Sequence, residues 1–324
     1  MANYIVTAIT FASIFAIAGS GLYVLTGLTG QVSLAQGAYI AIGASLTSYF
    51  ARTTSETTGV LGGQGLVFVA GFALATLVTG IIAALFGFLA VRLKGASAIS
   101  ASIAASVVVL YVIERAKFLS GGSRGANAPE NLSVGNLNFA DLKLAGHQFE
   151  RETGIMILAF VLMLAVFAYI RNVSRSPLAR SMRTIRERDV ASQTCAISPT
   201  KTIVSAHFIC GLCAGIAGAL YAPLLESFQI SSSNPWLGVF GIIASMQILA
   251  FVVVGGMKRY WISATIVFVL AFLSSFLADY SSSISWLDSA QGGRVSPSQI
   301  TAILSSLIVI GIIQARAQYV RKQL

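Results

Sequence analysis

Four hydrogen-bonding side chains that carry no charge, Gln31, Ser33, Gln36 and Tyr39, crowd into the stretch GLTGQVSLAQGAYIAIGA at residues 27–44. The chemistry such a set offers is hydrogen bonding to a passing polar solute. Gly27, Gly30 and Gly37 permit backbone geometry unsuited to an uninterrupted helix. Irregular backbone at membrane depth is tolerated only where protein or a water-filled cavity satisfies it, which predicts a broken, re-entrant element beside a substrate path. An ordinary turn between two spans fits the same residues, and both readings stand.

A second cluster is basic. Residues 171–201 read RNVSRSPLARSMRTIRERDVASQTCAISPTK. Ser176 followed by Pro177 predicts a helix start, with Ser as N-cap and Pro at the first helical position. Leu178, Met182 and Ile185 then recur on one face, while Arg180, Arg183 and Glu187 point away. Such a helix suits docking onto a cytoplasmic partner, its stripe entering a groove and Arg180, Arg183, Arg186 and Glu187 pairing with charges at the rim. A helix lying on anionic lipid is the other reading. A third cluster is small: Gly211 and Gly215 form a GxxxG that Gly218 extends, which predicts close helix packing against a neighbour in this chain or in a partner.

Enzyme signatures are missing. No GxxxxGK[ST] loop occurs, so any ATP-driven function needs another subunit. His147 and His207 are the two histidines, and neither has a carboxylate at metal-ligand spacing. Cys210 and Cys213 have CxxC spacing, but they sit in an apolar run with no second ligand pair, and Cys195 stands apart; they read as packing residues. The chain is expected to be no enzyme and to bind neither cofactor nor metal itself.

The elements that must position these clusters follow from composition. The 324 residues are 56% hydrophobic and only 10% charged, where soluble domains carry about 25% charged residues. Eight long charge-free stretches hold 218 residues, and a charge at mid-bilayer costs a few kcal/mol. The first, at 51 residues, is long enough for two passes. The expected fold is all-α: one polytopic membrane domain over residues 1–324, with nine hydrophobic passes at about 4–26, 31–50, 66–91, 97–117, 154–170, 202–224, 236–256, 260–280 and 298–315.

Threading the chain N-out and C-in collects 14 of the 21 basic residues but only Glu187 and Asp189 of the 11 acidic ones on the cytoplasmic side, as the positive-inside rule requires. The net charge of +10 is thereby explained by loops, without the aromatic-interleaved basic face of a nucleic-acid binder. Residues 120–153 become an extracytoplasmic loop long enough for a short helix and a docking surface, and residues 171–201 the long cytoplasmic connection. The N-terminus lacks the basic region of a cleaved signal peptide, so its first span is expected to be retained.

Several blocks carry a resemblance. Residues 27–44 resemble the G-x-x-G-Q-x-S-L-G-H-A-A-F-x-G-I-G-A block of the LivM-type permeases of branched-chain amino-acid ABC importers. Residues 92–95, RLKG, and 119–125, LSGGSRG, resemble that family's R-L-x-G and L-T-G-G-P-N-G. Residues 176–222 are similar to its R-S-x-x-G-R-A-x-x-A-I-R-E-N-E…A-G-x-A-G-A-L-Y-A stretch, with Arg186 and Glu187 on its Arg-Glu. The sequence departs from the family where Gln36 replaces His, where Ser123-Arg124 replaces Pro-Asn, and where Met257-Lys258-Arg259-Tyr260 replaces a Gly-Ser-rich turn. The resemblance implies a multi-pass permease subunit of the bacterial cytoplasmic (inner) membrane. It would work with a second, LivH-like permease, two ABC ATPase subunits that bind ATP, and an extracytoplasmic solute-binding protein. The solute would be a branched-chain amino acid or a related amino acid, amide or urea-like compound. The competing class is an ion-coupled secondary transporter, which needs an intramembrane ionisable site; Glu114, already beside Arg115 and Lys117, is the one acidic candidate.

Overall fold

The computed structural model describes residues 2–57, 64–93, 95–120, 126–127, 133–134, 137–138, 143–144, 147–148, 151–187, 198–225, 227–228, 240–256 and 259–282. Helix α1, Ala2–Leu22, runs into a π-helical turn, Tyr23–Leu28. After the non-helical residues 29–35 come α2, Gln36–Thr57, α3, Gln64–Ala90, α4, Ala96–Arg115, and the short α5, Lys117–Ser120. Then follow α6, Arg151–Arg175, α7, Pro177–Glu187, α8, Pro199–Leu224, α9, Ile242–Gly255, and α10, Tyr260–Ser282.

Five helical stretches are long and apolar enough to cross a membrane: Tyr4–Leu28, Val69–Ala90, Ser97–Arg115, Glu152–Arg175 and Pro199–Leu224. Helix α2, 22 residues long, is more polar and begins inside the bundle: Gln36, in its first turn, meets Ala18 of α1 and Cys210 of α8, each about ten residues from the helix end where the first span stops or α8 starts. Residues 36–50 belong to this one continuous helix, and the non-helical residues 29–35, which follow the positive φ of Gly30, lead from the basic end back into the bundle to reach it. The count of nine passes is not confirmed, and the ninth, at 298–315, lies outside the described residues. The connection 120–153 is long enough for a short helix. Its described parts are two-residue antiparallel pairs, Ser133–Val134 with Leu137–Asn138 and Lys143–Leu144 with His147–Gln148, while Ala126–Asn127 pairs with Ser227–Phe228.

Helix α8 is central, packing on α3, α2 and α1, and α1 packs in turn on α10 and α6. The outer helices show a continuous apolar stripe to the surroundings: on α3, Leu74, Leu77, Ile81, Leu85 and Phe88 are exposed, Leu85 by 62%. Water would not tolerate so large an apolar surface, whereas lipid solvates it. The chain is a multi-pass membrane protein.

One end of the bundle gathers the C-terminal ends of α1, α3 and α6, helix α7, and the starts of α4, α8 and α10. Thr29, Val91, Gly95, Ile185 and Pro199 line a single cavity there, and the Arg171 guanidinium lies 5.5 Å over the Trp261 ring. Among the described residues this end carries Arg92, Arg171, Arg175, Arg180, Arg183, Arg186, Lys201 and Arg259 against Glu187 alone.

Candidate functional site

The backbone leaves the helix at residues 29–35 because Gly30 sits at φ +75°, a conformation that favours glycine. The exposed peptide groups are then taken up by hydroxyls. Thr29 Oγ1 donates to the Leu25 carbonyl, and the N–H of Gln31 reaches Thr29 Oγ1 at 3.4 Å. The N–H of Leu34 donates to Ser102 Oγ of α4 at 3.0 Å, that of Ala35 to Ser33 Oγ at 3.4 Å, and that of Gly37 to Ser245 Oγ of α9 at 2.7 Å. The last of these satisfies one of the donors left orphaned at the start of α2.

Two cavities flank this segment. One of about 540 Å³ lies at the basic end and is lined by Thr29, Gly30, Gln31, Ile185 and Arg186 among others. The second, of about 300 Å³, lies among α2, α3 and α4. Gln31, Ser33, Tyr39, Ser102 and His207 supply its polar groups, and among the described residues no Asp, Glu, Lys or Arg lines it. Gln31, Val32, Leu93 and Ala98 belong to both walls. The side-chain oxygen of Gln31 is buried and has no hydrogen-bond partner among the described residues, which is costly unless a ligand or water fills the gap.

Of the four residues expected beside a path, Gln31, Ser33 and Tyr39 meet at the second cavity, but Gln36 lines neither. It is 1% exposed, donates through Nε2 to the Ala18 carbonyl of α1 at 2.8 Å, and accepts from Cys210 Sγ of α8 at 3.0 Å. Gln36 therefore ties three helices together at the first turn of α2. Cys210 and Cys213 are free and buried. His207 Nδ1 lies 3.1 Å from the Ile203 carbonyl, and no cluster of potential metal ligands occurs among the described residues.

The close-packing glycines face this chain's own helices. An added Cβ at Gly215 would stand 2.9 Å from Thr76 Cα of α3, one at Gly211 the same distance from the Thr79 carbonyl oxygen, and one at Gly218 would strike the Ile40 carbonyl and lie 2.8 Å from Ala44 N of α2. The neighbour left open by the motif is thus α3 on one side and α2 on the other.

Helix α7 begins as the Ser-Pro pair predicts, with the N–H of Ala179 3.4 Å from Ser176 Oγ. Its apolar stripe, however, is already covered. Met182 is 0% and Ile185 8% exposed, and half-buried Leu178 packs against the same core. Met182 and Ile185 thus pack on the bundle from which the short helix emerges, while half-buried Leu178 keeps part of its surface outward. Arg180, Arg183, Arg186 and Glu187 have exposed surface. Arg183 Nη2 donates to the Ser174 carbonyl at 3.1 Å, and Arg186 Nη1 turns inward to the Gly27 carbonyl.

Sequence reasoning missed Ser102, Ser245 and the inward turn of Arg186. Serines in apolar helices are a weak signal, since most of those described here bond back to their own helix, as Ser20 does to the Ala16 carbonyl at 2.7 Å.

Comparison with known proteins bears on the whole chain. The family described as branched-chain amino acid transport system / permease component matches residues 4–313. Two curated relatives are named high-affinity branched-chain amino acid transport system permease protein LivM. The protein from Salmonella typhimurium is 26% identical over 264 residues and that from Escherichia coli 25% identical over 264. Each match covers 76% of this chain and 57% of the relative's length, so the chain spans little more than half of the relatives it matches. No solved structure matches. With a bundle of apolar helices around a largely apolar cavity that carries a few uncharged polar groups and a match that runs almost from end to end, the chain belongs to the branched-chain amino acid transport permease family.

Proposed function

We propose that the chain is a permease subunit of an ATP-driven ABC importer that carries a small polar solute, a branched-chain amino acid or a related amino acid, amide or urea-like compound, across the bacterial cytoplasmic membrane. The observation that carries this reading is the cavity of about 300 Å³ behind the broken segment, lined among the described residues by hydrogen-bonding but no ionised side chains, in a chain of this family. Gln31, Ser33 and Tyr39 would bond the solute's polar groups while Phe86, Leu89 and Val108 would surround its apolar part. No bond of the solute changes. The chain itself holds no cofactor; ATP binds to two partner ATPases, and a second permease and an extracytoplasmic binding protein complete the assembly.

The ATPases act through α7. Its exposed face, with Arg180, Arg183 and Glu187, is the part available to them. Removing one member of a desolvated interfacial charge pair costs about 2–5 kcal/mol, whereas a helix resting on anionic lipid changes by only about 1 kcal/mol per basic charge. Glu187→Arg separates the two: an ATPase-docked helix releases or uncouples its partners, and a lipid-bound helix gains from the added positive charge.

The test is affinity purification of the tagged chain from its own host's membranes, followed by uptake in proteoliposomes. Co-purification of ATPase, second permease and binding protein, with uptake that needs ATP and ignores ionophores, is expected. Uptake by the chain alone, driven by an ion gradient, would replace this reading with the secondary-transporter one.

A further inference from the structure

Arg186 differs from the other charges of α7 in the direction it faces. Its Nη1 donates to the carbonyl of Gly27, in the last turn of the π-helical segment Tyr23–Leu28. The last carbonyls of a helix have no partner within it and carry the negative end of its dipole, so a cation there is both a hydrogen-bond donor and a favourable charge. The stem of the same side chain lies across Gly30, where an added Cβ would stand 2.9 Å from Arg186 Cγ. One arginine thus holds both sides of the point where the chain leaves the first span.

The π turn is fixed from its other face as well. Tyr23 packs against Tyr260 with ring centroids 5.3 Å apart, and Tyr260 Oη donates to Ser20 Oγ at 3.1 Å. Beyond Gly30 the next residue is Gln31, with its unpartnered oxygen between the two cavities. Residues 29–35 hang between the π turn and the first turn of α2 on side-chain bonds rather than a helical ladder. π-Helical turns inside α-helices frequently sit at functional sites.

We propose that Arg186 is a positioning residue that links α7 to the cavity wall: by capping the π turn at Gly27 and lying over Gly30, it sets where Gln31 stands between the two cavities. Withdrawal of α7 removes the cap and frees residues 29–35 to move. The inference rests on the permease reading for its purpose, but the link belongs to this chain. It assigns Arg186 inward, leaving Arg180, Arg183 and Glu187 as the docking charges.

The experiment uses the assembled complex in membranes, with Cys195→Ser and a reporter Val32→Cys, whose side chain lines both cavities. Labelling by a water-soluble maleimide is timed with Arg186, Arg186→Lys and Arg186→Met. Methionine keeps length without a donor; lysine keeps a cation able to cap. Labelling is expected to be roughly tenfold faster in Arg186→Met, equivalent to about 1.4 kcal/mol in the opening equilibrium, and to return towards the parental rate in Arg186→Lys. The control Thr53→Cys, near the other end of α2, should not change. Equal rates in all three backgrounds, or an equal rise at Thr53→Cys, would overturn the link. Loss of the ATPase subunits from Arg186→Met would make the residue a docking contact and overturn it too. Co-purification of the partner subunits and ATP-dependent uptake decide the permease reading separately.

Discussion

Gln36 and Gln31 lie five residues apart in one motif, and their surroundings could hardly differ more. Gln36 stands in the seam where α2 meets α1 and α8, with its amide nitrogen and oxygen both bonded and with Gly218 packed against the Ile40 carbonyl. Gln31 stands in the broken segment, between two cavities, with its oxygen unpaired among the described residues. The seam is built to stay: closely approaching backbones and a buried polar group with its partners allow no second arrangement at low cost. The broken segment is built to be completed by something else or to move. A transporter needs both, one region to hold the helices in register and one to answer the solute.

The strongest way to break the seam is Gly218→Leu. The side chain would meet backbone atoms of α2 rather than the flexible end of a side chain, so the overpacking cost is expected to reach at least about 3 kcal/mol. Loss of monodisperse protein in detergent measures it; a normal elution profile would show that α2 can retreat from α8. Next comes Gln36→Leu, which leaves a buried thiol and a carbonyl without their partner and is expected to cost about 1–3 kcal/mol of stability. A lowered unfolding temperature is expected in the purified protein, with solute affinity kept in the fraction that remains folded.

Gln31→Leu should do the reverse. Removing an unpaired buried oxygen is expected to leave stability unchanged or raise it by about 1 kcal/mol, while uptake falls. If Gln31→Leu destabilised as much as Gln36→Leu, the contrast between the two regions would fail. The smallest effect is expected from Ser45→Ala and Ser48→Ala, further along α2, whose hydroxyls are buried without a partner among the described residues. A gain below about 1 kcal/mol in thermal unfolding would mark them as tolerated defects. A loss of uptake at unchanged stability would extend the solute path along α2.

Much of the architecture was legible before any coordinates. Charge-free lengths located the helices because the bilayer excludes ions whatever the fold, and the Ser176-Pro177 pair located the start of α7 because N-caps act within a few residues. The glycines at 27, 30 and 37 marked a break in this stretch because backbone freedom is a property of the residue itself, and the structure puts the positive φ at Gly30. What stayed hidden was direction across space. The stripe Leu178, Met182 and Ile185 shows that one face of α7 is apolar, but not that the face lies on this chain's core.

The same division runs through the site. The sequence by itself determined that the chain lies in a membrane, that its basic ends gather on one side, that polar uncharged groups accompany a break near residue 30, and that α8 carries a face of small residues. Each follows from local chemistry: solvation of charge, backbone freedom and side-chain volume. Only the tertiary structure decided that Gln36 holds helices while Gln31 faces the cavities, that Gly211, Gly215 and Gly218 receive α3 and α2, and that Arg186 turns inward to Gly27. Those outcomes depend on which residues far apart in the chain arrive at the same place. In 72% of the apolar stretch of α8, but only 22% of that of α4, the neighbours are protein; composition alone cannot tell the two apart, because lipid and a protein interior select similarly apolar side chains.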